Sequence, residues 1–173
     1  MKVRLGLIAG AACLAAMPAT AQNTKPNDAQ IAHIAYTAGV LDVEAGKQAL
    51  AISNNAEVRA FAEQMVKDHT AVNDQALALV KKLNVTPEDN ATSKALTAQA
   101  AAKRAELAQL TGTAFDKAYL SNEVAYHKTV NGALEKTLIP SSQNAELKAL
   151  LQKGLKIFQG HEKHAESVVA KLK

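Results

Sequence analysis

Histidine residues occur on the apolar stripes of three predicted helices. Taken at alternating steps of four and three residues, the three stripes are mainly apolar, and they contain His69, His127 and His161 respectively. Residues at this spacing share one helix face and point toward partner helices. Because a buried polar group without a partner costs roughly 1–3 kcal/mol, each imidazole needs one. A metal ion at the centre of a group of helices would satisfy all three.

Acidic residues accompany these histidines. Glu123 precedes His127 by four residues, so the two side chains project from one face and can offer an oxygen and a nitrogen to the same ion. The alternative is an intrahelical ion pair worth only a few tenths of a kcal/mol. Glu44 lies at the border of the first helix's apolar face. The predicted metal ligands are therefore Glu44, His69, Glu123, His127 and His161.

Structural explanations for the same residues stay open. A buried histidine such as His69 can also be a core residue that hydrogen-bonds to a neighbouring helix. His164 lies at the edge of its stripe, where it can be solvated. Gln48 and Asp116 also fall on stripe positions, so a polar residue there need not indicate a metal.

The type of site is restricted by what the sequence lacks. A ferritin-like di-iron centre needs two Glu-x-x-His motifs, but Val66 and Phe158 stand three residues before His69 and His161. This argues against an oxygen-activating oxidoreductase, and no catalytic residue is predicted. Imidazole and carboxylate ligands without thiolates suit a single Zn, Cu or Fe ion. No organic cofactor is expected, because the chain has no glycine-rich phosphate-binding turn.

Five helical segments must position these residues. The segments have helical periodicity or propensity and are separated by Asn, Pro, Gly and Ser: residues 28–53, 55–83, 94–110, 113–138 and 144–173. Capping signals are predicted at Asn27 or Asp28, at Asn54 with Glu57, and at Thr113 with Asp116. The pattern predicts an all-α bundle of four long helices with one shorter segment.

The first residues resemble an export signal. Lys2 and Arg4 precede an apolar run, residues 5–16, and residues 19–21 fit a small-x-small cleavage site. The run is shorter than the roughly 20 apolar residues that span a membrane. We therefore predict a cleaved signal peptide (residues 1–21), a flexible N-terminus (residues 22–27) and a helical domain (residues 28–173). The expected location is the periplasm, and association with the outer membrane is compatible with it.

Composition limits the partners of the mature chain. Cys13 leaves with the signal, so no thiolate site or disulfide is expected, and loss of Lys2 and Arg4 lowers the net charge from +4 to +2. The remaining basic residues are scattered and aromatic residues are few, which argues against nucleic-acid binding. No membrane span is predicted in the mature chain. An envelope protein or a second copy of the chain could pack against the Ala-rich helix faces.

Several segments resemble one protein family. They are residues 43–50, which combine an acid with a glycine, residues 58–69, which end in Asp-His, residues 115–120 followed by His127, and His161 in the last helix. Together they make residues 40–172 similar to an exported bacterial ferritin-like family, domain of unknown function 4142. The resemblance implies an antiparallel four-helix ferritin-like bundle in the periplasm or outer envelope, and it strengthens Glu44 as a ligand. It implies no activity.

The sequence thus favours a periplasmic metal-binding protein with a role in metal homeostasis or envelope stress. The alternative from another class is a metal-free helical interaction module in which the histidines are hydrogen-bonded core residues. A metal-dependent oxidoreductase ranks third because of the missing carboxylates. Metal stoichiometry separates the first two hypotheses.

Overall fold

The computed structural model describes residues 25–172. The predicted signal peptide (residues 1–21) and residues 22–24 of the predicted flexible N-terminus lie outside the described residues. The described residues form helices and no β-strand, so the all-helical class is confirmed. The helices are α1 (Asp28–Ile52), α2 (Ala56–Lys82), α3 (Ala91–Leu107), α4 (Gly112–Ala133), α5 (Ile139–Ser141) and α6 (Ala145–Lys171), and a π-helical turn (Leu134–Leu138) joins α4 to the short α5.

Asparagine side chains cap four of the five long helices. Asn27 accepts a hydrogen bond from the Gln30 backbone N–H, and the Gln30 side chain accepts one from the Asn27 N–H. Asn55 and Asn144 each accept from two backbone N–H groups of the following turn. These contacts satisfy amides that have no partner within the helix and so fix where each helix begins.

Three predicted boundaries were wrong. The cap of α2 is Asn55 rather than Asn54, because its side chain reaches the N–H groups of Glu57 and Val58. Helix α3 begins at Ala91, three residues earlier than predicted, because Asn90 and Ser93 form a capping box. Helix α4 begins at Gly112, before the predicted cap Thr113.

The contacts between helices define their directions. Helices α1 and α6 each pack against both α2 and α4. Within each of these pairs the contacts run in opposite order along the two helices, as with Ser53 beside Asp116 and Ala38 beside Tyr126, so the paired helices are antiparallel. Helix α3 packs along α1 in the same direction, with Arg104 beside Glu44. The chain between α2 and α4 therefore travels back along the molecule, and α2 and α4 run in the same direction.

Two glycines bring α1 close to α2. A Cβ atom at Gly39 would lie 2.2 Å from Oδ1 of Asn73, and one at Gly46 would lie 2.9 Å from Cγ2 of Val66. Both distances are too short for a real Cβ contact, so a side chain at either position would force the facing side chain of α2 to move. These contacts set the register of the pair and place residue 42 of α1 at the level of His69 in α2.

Two apolar clusters fill the interior. One lies toward the α1–α2 turn and includes Phe61, Met65, Phe115 and Tyr119. The other lies toward the opposite end and includes Ile31, Leu134, Leu151 and Phe158. Buried polar residues from α1, α2, α4 and α6 lie between the clusters. Within residues 25–172, no helix is both long enough and apolar enough to cross a membrane.

Candidate metal centre

Three imidazoles meet between the two apolar clusters. His69 of α2, His127 of α4 and His161 of α6 expose only 3%, 1% and 1% of their surface. Their ring centroids are 5.7 Å (69–127), 5.2 Å (69–161) and 5.5 Å (127–161) apart, so they form a nearly equilateral triangle. Each can offer one ring nitrogen such that the three atoms lie within 4.8 Å of one another. We call these three side chains the imidazole set.

In His127 and His161, hydrogen bonds determine which ring nitrogen is free to bind a metal. Nδ1 of His127 lies 2.9 Å from the backbone oxygen of Glu123, which can only accept, so Nδ1 carries the proton. Nε2 of His161 lies 3.0 Å from a carboxylate oxygen of Asp68 and donates to it. The remaining nitrogens, Nε2 of His127 and Nδ1 of His161, carry lone pairs. A hydrogen-bond acceptor on the other ring nitrogen commonly orients a metal-binding imidazole.

Asp42 of α1 supplies a buried carboxylate to the same place. Its Oδ2 lies 3.1 Å from Nε2 of His69 and 3.4 Å from Nε2 of His127. Two ligands of one tetrahedral ion, at metal–ligand distances of about 2.0–2.1 Å, are separated by roughly 3.3 Å. Burial acts to raise the pKa of Asp42, but its interactions with His69, and then with His127 and His161, outweigh burial and hold the pKa below its ordinary value. Asp42 is therefore an ionised ligand candidate.

Glu123 lies beside Asp42 and is also buried. Its Oε2 is 3.8 Å from Nδ1 of His127, and it exposes only 1% of its surface. Burial first, and then the charge of Asp42, raise the pKa of Glu123 well above its ordinary value. Asp42, Glu123 and His127 form a second group whose possible ligand atoms lie within 4.8 Å of one another. A cation would offset the repulsion between the two carboxylates.

The polar atoms of this cluster provide a test of whether a metal fits. Several are buried and have no hydrogen-bond partner among residues 25–172: both oxygens of Asp42, both nitrogens of His69, Oε2 of Glu123, Nε2 of His127 and Nδ1 of His161. Native proteins leave few such atoms unpaired because each costs free energy. A cation is a partner that carboxylate oxygens and imidazole lone pairs can share. The donor set fits a transition metal.

Glu44 does not join the cluster. It is half-exposed, and its carboxylate pairs with the Arg104 guanidinium of α3. Two other polar stripe residues also have partners: Gln48 donates to the backbone oxygen of Arg104, and Asp116 accepts a hydrogen bond of 2.5 Å from Ser53. Unpaired buried atoms also occur outside the cluster, as at Oε1 of Gln48 and the Tyr119 hydroxyl, so the centre is distinguished by having several possible ligand atoms close together.

His164 also lies outside the imidazole set. Its Nδ1 is 2.9 Å from Oε1 of Gln64, and its ring packs edge-on against Phe61. Within the two-histidine segment of α6, only His161 reaches the imidazole set.

Sequence reasoning missed Asp42 and the role of Asp68. Strict alternation of four- and three-residue steps along α1 does reach Asp42, and it was the available signal: Ile31, Ala35, Ala38, Asp42, Ala45, Ala49 and Ile52. Asp68 precedes His69 and turns toward α6, where it contacts His161. No pattern in the sequence indicates that contact across two helices.

Burial lowers the pKa of two of the three imidazoles. It lowers the pKa of His161 to about 4, against the opposing effect of Asp68. It also lowers the pKa of His127, although Asp42 acts in the other direction. A neutral imidazole is the form that binds a metal, so protons compete little with an ion near neutral pH.

Two cavities reach the cluster from different sides. A cleft of about 260 Å³ between α1, α3 and α4 extends to Asp42 and Glu123 and has Lys103 and Arg104 in its wall. A second cavity of about 180 Å³ reaches His69 and His127 through apolar side chains.

Comparison with known proteins gives a family and a fold. The model of the family described as Domain of unknown function (DUF4142) matches residues 13–168. No curated protein matches the chain. A DUF305 fragment from Deinococcus radiodurans superposes with a TM-score of 0.72 at 14% identity, over 86% of this chain and 100% of that one. A DUF305 protein from Streptomyces coelicolor, predicted to be secreted, superposes with a TM-score of 0.68 at 11% identity, over 82% of this chain and 91% of that one. At these identities the similarity concerns the fold alone.

Proposed function

The chain belongs to the DUF4142 family, and we propose that it is an exported protein that holds one transition-metal ion among its buried imidazoles and carboxylates. Residues 28–173 would form the functional domain after removal of residues 1–21 in the periplasm. The physiological role would be metal homeostasis or envelope stress. The basic and apolar start of the chain supports export, as does the secreted character predicted for the Streptomyces coelicolor protein.

The scaffold would be a ferritin-like four-helix bundle of α1, α2, α4 and α6. Support comes from the antiparallel packing of α1 and α6 against both α2 and α4. It also comes from the long connection that contains α3 and makes α2 and α4 run in the same direction. A single long crossover of this kind is typical of ferritin-like folds. Helix α3 would be the additional shorter helix, packed outside the four.

The ion would be bound by the imidazole set and Asp42, with Glu123 beside them. Three neutral imidazoles and two carboxylates would balance the charge of one divalent cation, which is the least costly state for a buried site. Imidazole-rich sets favour Zn²⁺, Cu²⁺ or Fe²⁺ over Mg²⁺ and Ca²⁺, which prefer oxygen ligands. The half-exposed Glu44 is outside this proposed set. Its pairing with Arg104 supports a structural role instead.

The donor set supports metal binding, rather than oxygen activation, as the role of the site. Val66 and Phe158 stand where di-iron proteins of this type have ligating glutamates. In the described chain, Asp42 and Glu123 are the only carboxylates in the groups that could hold an ion. These two balance one divalent ion and leave none to bridge a second.

One observation carries the proposal: unpaired, buried ligand atoms from four helices meet at one point. The test is elemental analysis of residues 22–173, exported to the periplasm without a histidine tag and purified without chelator. We expect near-stoichiometric Zn, Cu or Fe. His127→Ala should lose at least roughly tenfold in affinity, whereas His164→Ala should bind as the wild type does. Circular dichroism of both variants checks that helix content is unchanged.

Failure of this test has a definite meaning. Absence of bound metal, with no uptake on titration and no thermal shift, would overturn the proposal. The cluster would then be a set of core polar residues, and a metal-free helical interaction module would replace the metal-binding protein as the best interpretation.

A further inference from the structure

The apolar cavity next to the imidazole set is a separate feature of the fold. It has a volume of about 180 Å³ and is lined by α1, α2, α3, α4, the π-helical turn and α6. Its inner end is formed by His69, His127 and Phe158, and the ring of Phe158 stacks on His69 at 4.5 Å. Thr92 and Thr129 also line the cavity and are exposed, so the cavity reaches the surface beside them.

Small residues create this space. Several lining positions carry no side chain beyond a methyl group: Ala32, Ala35, Ala38, Gly39, Ala76 and Gly154. At Gly154, an added Cβ would meet only the Phe158 ring, at 3.4 Å, which is ordinary van der Waals contact. Helix packing therefore does not demand glycine at this position, in contrast to Gly39. The sequence leaves room that larger side chains could fill.

The walls define what could occupy the cavity. No lining residue within the described chain is an Asp, Glu, Lys or Arg, and the polar groups at the inner end are the two imidazoles and the Asn73 amide. An ion would lose its hydration there without compensation, so the ligand must be uncharged. An apolar cavity of about 150 Å³ in a helical protein can hold a molecule of the size of benzene.

We propose that this cavity is a binding site for a small, uncharged, apolar molecule of about the size of benzene or toluene. This proposal is separate from that of the metal, because apart from His69 and His127 the residues that line the cavity are not proposed ligands. The molecule would lie against His69 and His127, on the apolar side of the imidazole set. Its carbon atoms would make the van der Waals contacts that the small lining residues do not make.

The test uses toluene as the probe on residues 22–173, first stripped of metal and then loaded with Zn²⁺. We expect toluene to raise the melting temperature in both forms. We also expect nuclear Overhauser effects between toluene protons and the ring of Phe158. Ala76→Phe should fill the cavity and weaken toluene binding at least roughly tenfold. Ala78→Phe, exposed on the same helix, is the matched control and should change it by less than about twofold.

The outcomes separate this inference from the metal proposal. If wild-type protein shows neither a melting shift nor an Overhauser effect at saturating toluene, the cavity is not a binding site, whatever the metal content. If Ala76→Phe does not fold, the Overhauser measurement on the wild type decides alone. Equal weakening by Ala76→Phe and Ala78→Phe would place toluene elsewhere and overturn the assignment. Toluene binding without metal binding would sustain the cavity site and refute only the metal site.

Discussion

Asp42 of α1 and His69 of α2 lie at the same level of two antiparallel helices, with Oδ2 3.1 Å from Nε2. Gly39 and Gly46 allow this approach because each occupies a point where a Cβ would collide with α2. Neither atom of the close pair has a hydrogen-bond partner among the described residues. The 3.1 Å spacing of these two atoms suits two ligands on one ion.

The contrast between Asp42 and Glu44 yields a first prediction. Asp42→Asn should weaken metal binding by at least roughly tenfold, because it removes a buried anionic ligand. Glu44→Gln is the matched control and should leave the affinity within about twofold, because Glu44 pairs with Arg104 at the surface. Competition titration with a chromophoric chelator measures both affinities. A greater loss in Glu44→Gln than in Asp42→Asn would return Glu44 to the site and remove Asp42.

Asp68 should act through His161. Its carboxylate accepts the Nε2 proton of His161 and leaves Nδ1 toward the centre. Asp68→Asn should therefore weaken metal binding by about tenfold, the usual effect of losing such a partner. Asp68→Glu should recover part of the affinity, and Glu63→Gln, on an exposed position of α2, should have no effect. Equal affinities in all three variants would show that His161 needs no such support.

Protonation of His161 should destabilise the metal-free protein in acid. The pKa of His161 is about 4 in the fold, against about 6.5 in an unfolded chain. Between these values the unfolded state binds the proton and the folded state does not, so stability falls as pH falls. The effect is up to about 3 kcal/mol, and His127 contributes in the same direction.

Urea unfolding after treatment with a chelator measures this dependence. We expect His161→Gln to lose much of the change between pH 6.5 and pH 4.5, while His164→Gln keeps it. His69, His127 and Asp68 face His161 and remain in both variants. A pH dependence that is identical in wild type and His161→Gln would assign the acid sensitivity to other groups.

Two glycine substitutions should act in opposite directions. At Gly39 a methyl group would overlap the Asn73 side chain, so Gly39→Ala should cost about 1–3 kcal/mol. Gly132 lies in α4 with nothing within 4 Å of the added Cβ, so Gly132→Ala should stabilise by roughly 0.5–1 kcal/mol through the better helix propensity of Ala. Thermal or urea unfolding compares the two. Stabilisation by Gly39→Ala would show that α1 and α2 are less closely packed.

Helical periodicity predicts the ligand candidates of the metal centre better than it predicts which residues of other helices lie beside them. His69, Glu123, His127 and His161 lie on stripes with a spacing of four and three, and the structure brings them together because those stripes face inward. The axial register between α1 and α2 is not predicted by this spacing. The choice of Asp42 over Glu44 is one of helix face, which strict four-three spacing indicates, but the level at which Asp42 meets His69 depends on how far α1 slides along α2, as the glycine contacts define it. Such contacts join residues distant in sequence, and no local pattern encodes them.

The direction of the chain divides the candidate centre between two hairpins. Asp42, Asp68 and His69 come from the hairpin of α1 and α2, whereas Glu123, His127 and His161 come from α4 and α6, and the two parts are linked through α3. Neither hairpin alone contains three imidazoles or both buried carboxylates. An ion bound here would cross-link the first and second halves of the polypeptide. Pulling the halves apart would then be opposed by the metal–ligand bonds as well as by the apolar core.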